Sequence, residues 1–402
     1  MNRTLSDLPA VDANLPNHAR RTPTGGAVSG AAAAVPLHYG RCMIFEVDRT
    51  DFRTTRVAEP PEQQLAPGQV RLRVERFAFT TNNITYAVAG DMLDYWGFFP
   101  TEQPRGRIPV IGLGSVDESA HPDIEVGGRY FGFYPMGSES IVTAEPRGPH
   151  GFRDVGAHRA GHAVTYTDFR DISVDDTFDL DRTNEYLLLY GMFMTSFLVD
   201  DQLGDREFDG ATATIVTSAS SKTSISLASC LADRGDITAI GLTSQRNLAF
   251  VEGLGLYDQV FTYDQVDQID ATTRTGVVDM AGNSEVLAAI HHHMGKELAF
   301  SIGVGITHWE ERTDVADLPG PTPEFFFAPA QLAKRVEEWG ADEIQSRIQQ
   351  AYAGLVDHSA GWLQIEYRQG PDGIEATYRD LLEGRADPAA GYICSMHTEA
   401  LS

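Results

Sequence analysis

The stretch ATIVTSASSKTSISLASCLADRG, residues 213–235, decides the fold. It opens on an apolar run rich in β-branched residues and passes through small and hydroxyl-bearing residues. It then continues as a helical pattern that ends at Gly235. This order predicts a strand, a tight turn and a helix. The unit recurs downstream, with DITAIGLTS (236–244) as a strand and RNLAFVEGLG (246–255) as a helix. Such alternation predicts a parallel sheet with helices on both faces.

The pattern changes on the amino-terminal side of this unit. EYLLLYGMFMTSFLVDDQL (185–203) repeats apolar residues at helical spacing and predicts a long helix. Before it, residues 41–182 contain short alternating runs separated by Pro-Gly and Gly-Gly turns. That texture is typical of a small β-rich domain. The chain is therefore expected to be an α/β protein of two domains.

Net charge and the length of apolar runs exclude two classes of partner. The chain has 402 residues, and 31 Lys and Arg stand against 57 Asp and Glu, for a net charge of −26. A surface this acidic repels nucleic acids and anionic lipids, which require a basic footprint. Apolar runs also stop short of the roughly 20 residues that span a bilayer. We therefore expect a small-molecule substrate, without nucleic-acid or membrane partners.

The amino terminus and the cysteines bear on the compartment. Residues 1–40 are rich in Pro, Ala and Gly, which predicts a flexible arm, and its apolar centre is too weak for a signal peptide. Cys42, Cys230 and Cys394 are too far apart to form a disulfide framework or a zinc cluster. These features favour a cytoplasmic protein.

The first candidate site is the turn between the strand and the helix of the 213–235 unit. Its members are small, hydroxyl-bearing or basic: Ser218, Ala219, Ser220, Ser221, Lys222 and Thr223. Turns in this place commonly hold a phosphate at the helix N-terminus. A mononucleotide P-loop would need glycines where Val216 and Ser221 stand, whereas a dinucleotide turn tolerates small replacements better. A helix N-cap beside a surface lysine is the third interpretation.

The second candidate site follows the next strand. An NAD site usually ends this strand with a carboxylate, but here Ser244 and Arg246 follow it without an acid. A hydroxyl and a guanidinium suit a 2′-phosphate, because Arg binds phosphate through several charged hydrogen bonds. These two residues therefore predict NADP(H) as the cofactor. The simpler interpretation is that Ser244 caps a helix and Arg246 is exposed to solvent.

Several stretches resemble known families in order along the chain. VTSASSKTSISLASCLADRG, AIGLTSQRNLAFVEGLGLYDQVFTYD and VVDMAGNSEVLAAI resemble the coenzyme domain of medium-chain dehydrogenases/reductases. LAPGQVRLRVERFAFTTNNITYAVAG resembles a barrel strand pair of that superfamily, and GIEATYRDLLEGRADPAAGYICSM resembles its returning strand. The similarity is greatest to the zinc-independent quinone oxidoreductase and enoyl reductase branch. FTTNNITYAVAGDMLDYWGFFP, THWE and FFFAPAQLAKRVEEWG resemble the DUF2855 family.

The resemblance implies a fold, a cofactor and an assembly. It implies a GroES-like β-barrel domain at residues 41–182 and 350–402, and a Rossmann doubly wound parallel-sheet domain at residues 183–349. It also implies NADP(H) as cofactor and a homodimer as the expected assembly. The cysteine and histidine ligands of zinc-dependent members have no counterparts here, so no metal is expected.

The resemblance also implies site residues. Tyr86 matches a tyrosine near the nicotinamide, and Asn82 and Asn83 occupy the polar stretch before it. Thr195 matches a threonine that faces the nicotinamide. Tyr263, Met280 and Gly282 match positions that line the cofactor cleft. Alternatively, the two asparagines satisfy a turn, Tyr86 packs in the barrel, and Thr195 bonds to its own helix.

Four further residues are candidates for the substrate mouth. Asp91, Tyr95 and Trp96 lie in the aromatic stretch GDMLDYWGFFP, and His308 follows the last predicted strand. The aromatic residues suggest an apolar or ring-bearing substrate, although they suit a core equally well. Together these observations predict an NADPH-dependent reductase of an activated C=C or C=O bond. A lyase or isomerase without net redox chemistry, and a non-catalytic NADPH-binding protein, stay as alternatives from other classes.

Overall fold

A computed structural model describes residues 41–175, 177–280, 282–304 and 318–398. The predicted amino-terminal arm and His308 lie outside these residues.

The first part of the chain closes into an antiparallel barrel. Its strand order is β3-β5-β6-β9-β8-β7, and β7 pairs back onto β3 to close the ring. Alternation places Val70, Leu72 and Val74 of β3 in the barrel core, as the sequence pattern predicts. The strands are β3 (Gln69–Phe79), β5 (Pro109–Ser119), β6 (Arg129–Pro135), β7 (Glu139–Pro146), β8 (Gly151–Asp154) and β9 (Asp168–Asp171).

Other strands and short helices complete this half. β17 (Ala390–Ser395) pairs antiparallel with β3, and β16 (Gln364–Gln369) pairs parallel with β17. Thus the end of the chain returns to the barrel, as expected. A separate antiparallel sheet and three helices pack around it: β1 (Ile44–Asp48), β2 (Asp51–Ala58), β4 (Arg105–Gly106), α1 (Thr81–Val88), α2 (Val164–Thr167) and α9 (Gly370–Leu382).

The second half is a parallel sheet in the order β12-β11-β10-β13-β14-β15. The chain leaves the centre in both directions from β10, so β10 and β13 flank the topological switch point where doubly wound sheets bind ligands. The predicted Rossmann fold is confirmed. Its strands are β10 (Ala213–Thr217), β11 (Thr238–Thr243), β12 (Gln259–Thr262), β13 (Thr275–Asp279), β14 (Leu298–Gly303) and β15 (Glu324–Phe325).

Helices cover the parallel sheet and join it to the barrel. They are α3 (Thr183–Asp205), α4 (Lys222–Arg234), α5 (Leu248–Leu254), α6 (Ser284–Met294), α7 (Ala328–Trp339) and α8 (Ala341–Ser359). The predicted domain boundary at residues 349 and 350 falls inside α8. α3 belongs to one apolar core that also contains Leu113 of the barrel and Val216 of the parallel sheet. The barrel and the parallel sheet therefore meet through buried apolar contacts.

Candidate active site

The turn between β10 and α4 is built from serines at positions where dinucleotide-binding turns usually have glycines. Ser218 has a left-handed φ of 51°, a conformation that favours glycine. The Ser221 hydroxyl caps α4 by accepting a hydrogen bond from the Ser224 backbone N–H at 3.1 Å. The buried Ser224 hydroxyl donates to the Thr217 carbonyl at 2.8 Å. Hydrogen bonds thus fix the turn and leave the first backbone N–H groups of α4 without partners inside the helix.

Neighbouring loops hold the same turn from outside. The Tyr257 hydroxyl donates to the Ala219 carbonyl at 3.0 Å, and the Asn247 amide donates to the Ser220 hydroxyl at 2.9 Å. The Tyr263 hydroxyl is hydrogen-bonded to Ser218, and burial raises the pKa of this tyrosine. Tyr263 therefore lies against this turn, and its place in a cofactor cleft stays a prediction.

A polar cluster links the carboxyl ends of β10 and β13. The Thr217 hydroxyl donates to the buried Asp279 carboxylate at 2.6 Å and accepts from the Met280 backbone N–H at 2.9 Å. The Gly282 backbone N–H donates to the same carboxylate at 3.1 Å. These bonds fix Met280 and Gly282 at the switch point of the sheet.

The two predicted phosphate-binding cations contact one distant segment. The Lys222 ammonium donates to the Ala390 carbonyl at 2.7 Å, and burial lowers its pKa to about 8. The Arg246 guanidinium donates to the Gly384 carbonyl at 2.6 Å and to the Ala386 carbonyl at 3.0 Å. Their contact with a phosphate stays a prediction, and the structure gives both side chains backbone partners from the segment before β17.

Tyr86 lies in a cluster of tyrosines on the barrel side. Its ring stacks on Tyr95 with centroids 4.4 Å apart, and its hydroxyl is hydrogen-bonded to the Asn82 side chain and to Tyr166. Tyr166 is also hydrogen-bonded to Tyr95. Burial raises the pKa of the Tyr86 hydroxyl, so this group stays protonated at neutral pH.

Asn82 and Asn83 have different partners, although both belong to α1. Asn82 stands one helical turn before Tyr86 and reaches its hydroxyl. The buried Asn83 accepts from the Thr80 backbone N–H at 2.8 Å and donates to the Pro109 carbonyl at 3.0 Å. Asn83 therefore caps α1 and ties it to β5.

Thr195 and the predicted substrate residues have separate surroundings in the structure. The Thr195 hydroxyl donates to the Gly191 carbonyl of its own helix at 3.2 Å. Trp96 is buried against Gly90 and Gly106, where a Cβ atom would overlap its ring. Asp91 is exposed and lies 3.9 Å from Arg49. Of the predicted mouth residues, Tyr95 is the one whose ring the structure stacks on Tyr86 within the described ranges.

Sequence reasoning missed Tyr166. It lies on α2, a four-residue helix, 80 positions from Tyr86 in the chain. Its stretch HAVTYTDF carries no periodic or spacing signal, because its role depends on the folding of the barrel. Only the folded barrel brings its hydroxyl to Tyr86.

The described residues form neither a metal-binding cluster nor a helix suited to a bilayer. Within the described ranges, no group of three or more His, Cys, Asp or Glu side chains has a geometry that could hold a metal ion. In the tract His291–His293, His291 bonds to Pro319 and Ser301, while His293 bonds to Ile269. Among helices of the described chain, none is long and apolar enough to cross a bilayer.

Known structures share this architecture at low sequence identity. CurA from Vibrio vulnificus in complex with NADPH aligns with a TM-score of 0.55 at 12% identity, over 89% of this chain and 99% of that chain. CurK enoyl reductase gives 0.51 at 12% identity, over 89% and 99%. The CurF ER cyclopropanase from the curacin A biosynthetic pathway gives 0.51 at 10%, over 89% and 99%. These likenesses confirm the expected two-domain fold.

Sequence comparison identifies the family. No curated protein sequence matches the chain. The family model described as "Protein of unknown function (DUF2855)" matches residues 77–387, which is most of the chain. The chain therefore belongs to the DUF2855 family.

Proposed function

We propose that the protein is a zinc-independent NADP(H)-dependent oxidoreductase that reduces an activated C=C or C=O bond between its two domains. The observation that carries the proposal is the buried Tyr86 hydroxyl, held by Asn82 and Tyr166 in a barrel that packs against a Rossmann sheet. Solved structures of this fold include CurA in complex with NADPH and the CurK enoyl reductase, which supports this class of chemistry.

The turn after β10 fits a dinucleotide. Ser218 takes the left-handed conformation, and the small residues of the turn would let a pyrophosphate approach the N-terminus of α4. Ser244 and Arg246 lie after β11, where a 2′-phosphate would be bound. When bound, NADPH would supply a hydride to an electron-poor carbon of the substrate.

Tyr86 would complete the reduction by moving a proton. As negative charge builds on the substrate, the neutral Tyr86 hydroxyl donates a hydrogen bond and then its proton. The oxygen left on Tyr86 is stabilised by a hydrogen bond from the Asn82 amide, which favours the charged form of Tyr86. Phe98, Phe133 and Tyr95 surround these hydroxyls, which suits an apolar or aromatic substrate.

The test is consumption of NADPH with a panel of enones, quinones and aldehydes. Tyr86→Phe removes the hydroxyl and keeps the ring, so turnover with the best substrate should fall about 100-fold or more while NADPH still binds. Tyr130→Phe is the matched control, because this barrel tyrosine packs its ring at a tilt against Phe152 and has no ring contact with Tyr86, Tyr95 or Tyr166 among the described residues. Equal turnover by Tyr86→Phe and the wild type would contradict the assigned role.

The same experiment separates the alternative functions. A reaction of the substrate that consumes no NADPH would favour a lyase or isomerase. NADPH binding without turnover of any substrate in the panel would favour a non-catalytic nucleotide-binding protein.

A further inference from the structure

One segment of the chain lies across the phosphate-binding edge of the parallel sheet. Residues 384–390 run from just after α9 to the first residue of β17, and we call them the strap. Lys222 holds its end through the Ala390 carbonyl at 2.7 Å. Arg246 holds its start through the Gly384 and Ala386 carbonyls at 2.6 and 3.0 Å. Lys222 lies after β10 and Arg246 lies after β11, at the two turns predicted to bind the nucleotide. Because the strap leads into β17, which pairs with the barrel, it connects these turns to the barrel.

The two anchors differ in how easily a ligand can replace them. Lys222 is partly buried, its ammonium is desolvated, and the negative charge of Asp387 in the strap favours its protonated form. Arg246 is exposed, and its partners at the strap are neutral carbonyls. A phosphate attracts the guanidinium through its own negative charge and can accept two parallel hydrogen bonds from it, whereas a carbonyl carries no charge. A phosphate dianion can therefore compete for Arg246 more readily than for Lys222.

We propose that the strap responds to the 2′-phosphate of the bound nucleotide. The phosphate takes the Arg246 guanidinium from the Gly384 and Ala386 carbonyls, and the start of the strap is released while Lys222 keeps its end fixed. Nucleotides without a 2′-phosphate leave the strap closed. This inference rests on the proposed NADP(H) site and adds a conformational consequence of its occupation.

The strap contains an arginine at which proteolysis can detect its opening. Arg385 lies between the two carbonyls that Arg246 holds, and its half-exposed side chain is paired with Asp380 and Glu383. Trypsin cleaves after arginine only where the backbone can leave its hydrogen bonds. Cleavage after Arg385, read by mass spectrometry as a peptide that begins at Ala386, therefore measures opening of the strap.

The experiment compares 2′,5′-ADP with 5′-AMP on the full chain, with binding of each measured by calorimetry. We expect 2′,5′-ADP to accelerate cleavage after Arg385 about tenfold, because two hydrogen bonds of the strap are lost, whereas 5′-AMP has no effect. Arg246→Met should be cleaved fast without any ligand and should not respond to 2′,5′-ADP.

Arg274→Met is the matched control, because Arg274 is also an exposed arginine that donates to a backbone carbonyl, that of Asp209 at 3.2 Å. It should behave as the wild type. If 2′,5′-ADP binds and cleavage is unchanged or slower, or if Arg246→Met is no more sensitive than the wild type, the strap inference is wrong and the nucleotide site stands. If 2′,5′-ADP does not bind at all, the trigger and the proposed NADP(H) site both fail.

Discussion

At the scale of single residues, one step along α1 separates a residue proposed to take part in the reaction from a residue with a structural role. Asn82 reaches the Tyr86 hydroxyl, whereas Asn83 caps the helix and bonds to the Pro109 carbonyl. The sequence placed both in one polar stretch, and their adjacency gave no reason to distinguish them. Helical spacing does not distinguish them either, because Asn82 and Asn83 stand four and three positions before Tyr86. The folded structure does, because the Asn83 side chain is taken up by the Thr80 backbone N–H and the Pro109 carbonyl.

The two asparagines should respond differently to truncation. Asn83→Ala removes a cap and leaves the buried Pro109 carbonyl unpaired, so the free energy of unfolding should fall by about 2 kcal/mol. Asn82→Ala should change stability by less than about 0.5 kcal/mol and lower turnover of NADPH. Denaturant unfolding and steady-state kinetics measure both effects. A large loss of stability in Asn82→Ala alone would contradict these assignments.

The buried environment of Lys222 predicts a pH dependence. Its pKa is about 8 in the folded protein, whereas the ordinary value is 10.5, because burial disfavours the charged form. Between these values the unfolded chain binds more protons, so the contribution of Lys222 to the free energy of unfolding rises with pH. In Lys222→Met this rise should be absent. Denaturant unfolding of both proteins, below pH 8 and above it, tests the difference; parallel pH profiles would contradict it.

At the scale of elements, the turn between β10 and α4 forms without its usual glycines. Hydroxyl groups take over: Ser221 caps α4, and Ser224 bonds back to Thr217. The pattern predicted the strand, the turn and the helix correctly, and Gly235 ends α4 with a left-handed φ of 73°. The partners of Lys222 and Arg246 were not predictable, since they stand more than 130 residues away and are set by tertiary folding.

The left-handed conformation of Ser218 makes this turn sensitive to substitution. Ser218→Gly should keep the free energy of unfolding within about 1 kcal/mol, because relief of strain offsets the lost contact with Tyr263. Ser218→Val should lower it by about 1–3 kcal/mol, because a β-branched residue resists positive φ. Thermal or denaturant unfolding of the pair measures the contrast. Equal stability of both variants would show that the turn does not impose this conformation.

At the scale of the whole molecule, one apolar core joins the two halves. It includes Leu113 of the barrel, Ile393 of β17, the buried face of α3 and Val216 of the parallel sheet. The order of segments along the sequence was enough to predict both the barrel and the Rossmann sheet. Which barrel residues contact α3 could not be read from it, because apolar residues on either side of a strand look alike in sequence.

A shared core predicts cooperative unfolding. Leu113→Ala should lower the free energy of unfolding by about 2–5 kcal/mol, because the residue is fully buried. Unfolding should stay a single transition by tryptophan fluorescence and by circular dichroism. Val126→Ala, at a position that is 63% exposed, is the control and should leave stability unchanged. Two separate transitions in the wild type would contradict a common core.

Calorimetric binding of NADPH and NADH to the wild-type protein tests the central claim most directly. The account predicts that NADPH binds and that it binds at least about tenfold more tightly than NADH, a difference of about 1.4 kcal/mol, because a 2′-phosphate gains Arg246 as a partner. If neither nucleotide binds, the serine-rich turn does not hold a dinucleotide and the proposed reductase function is wrong.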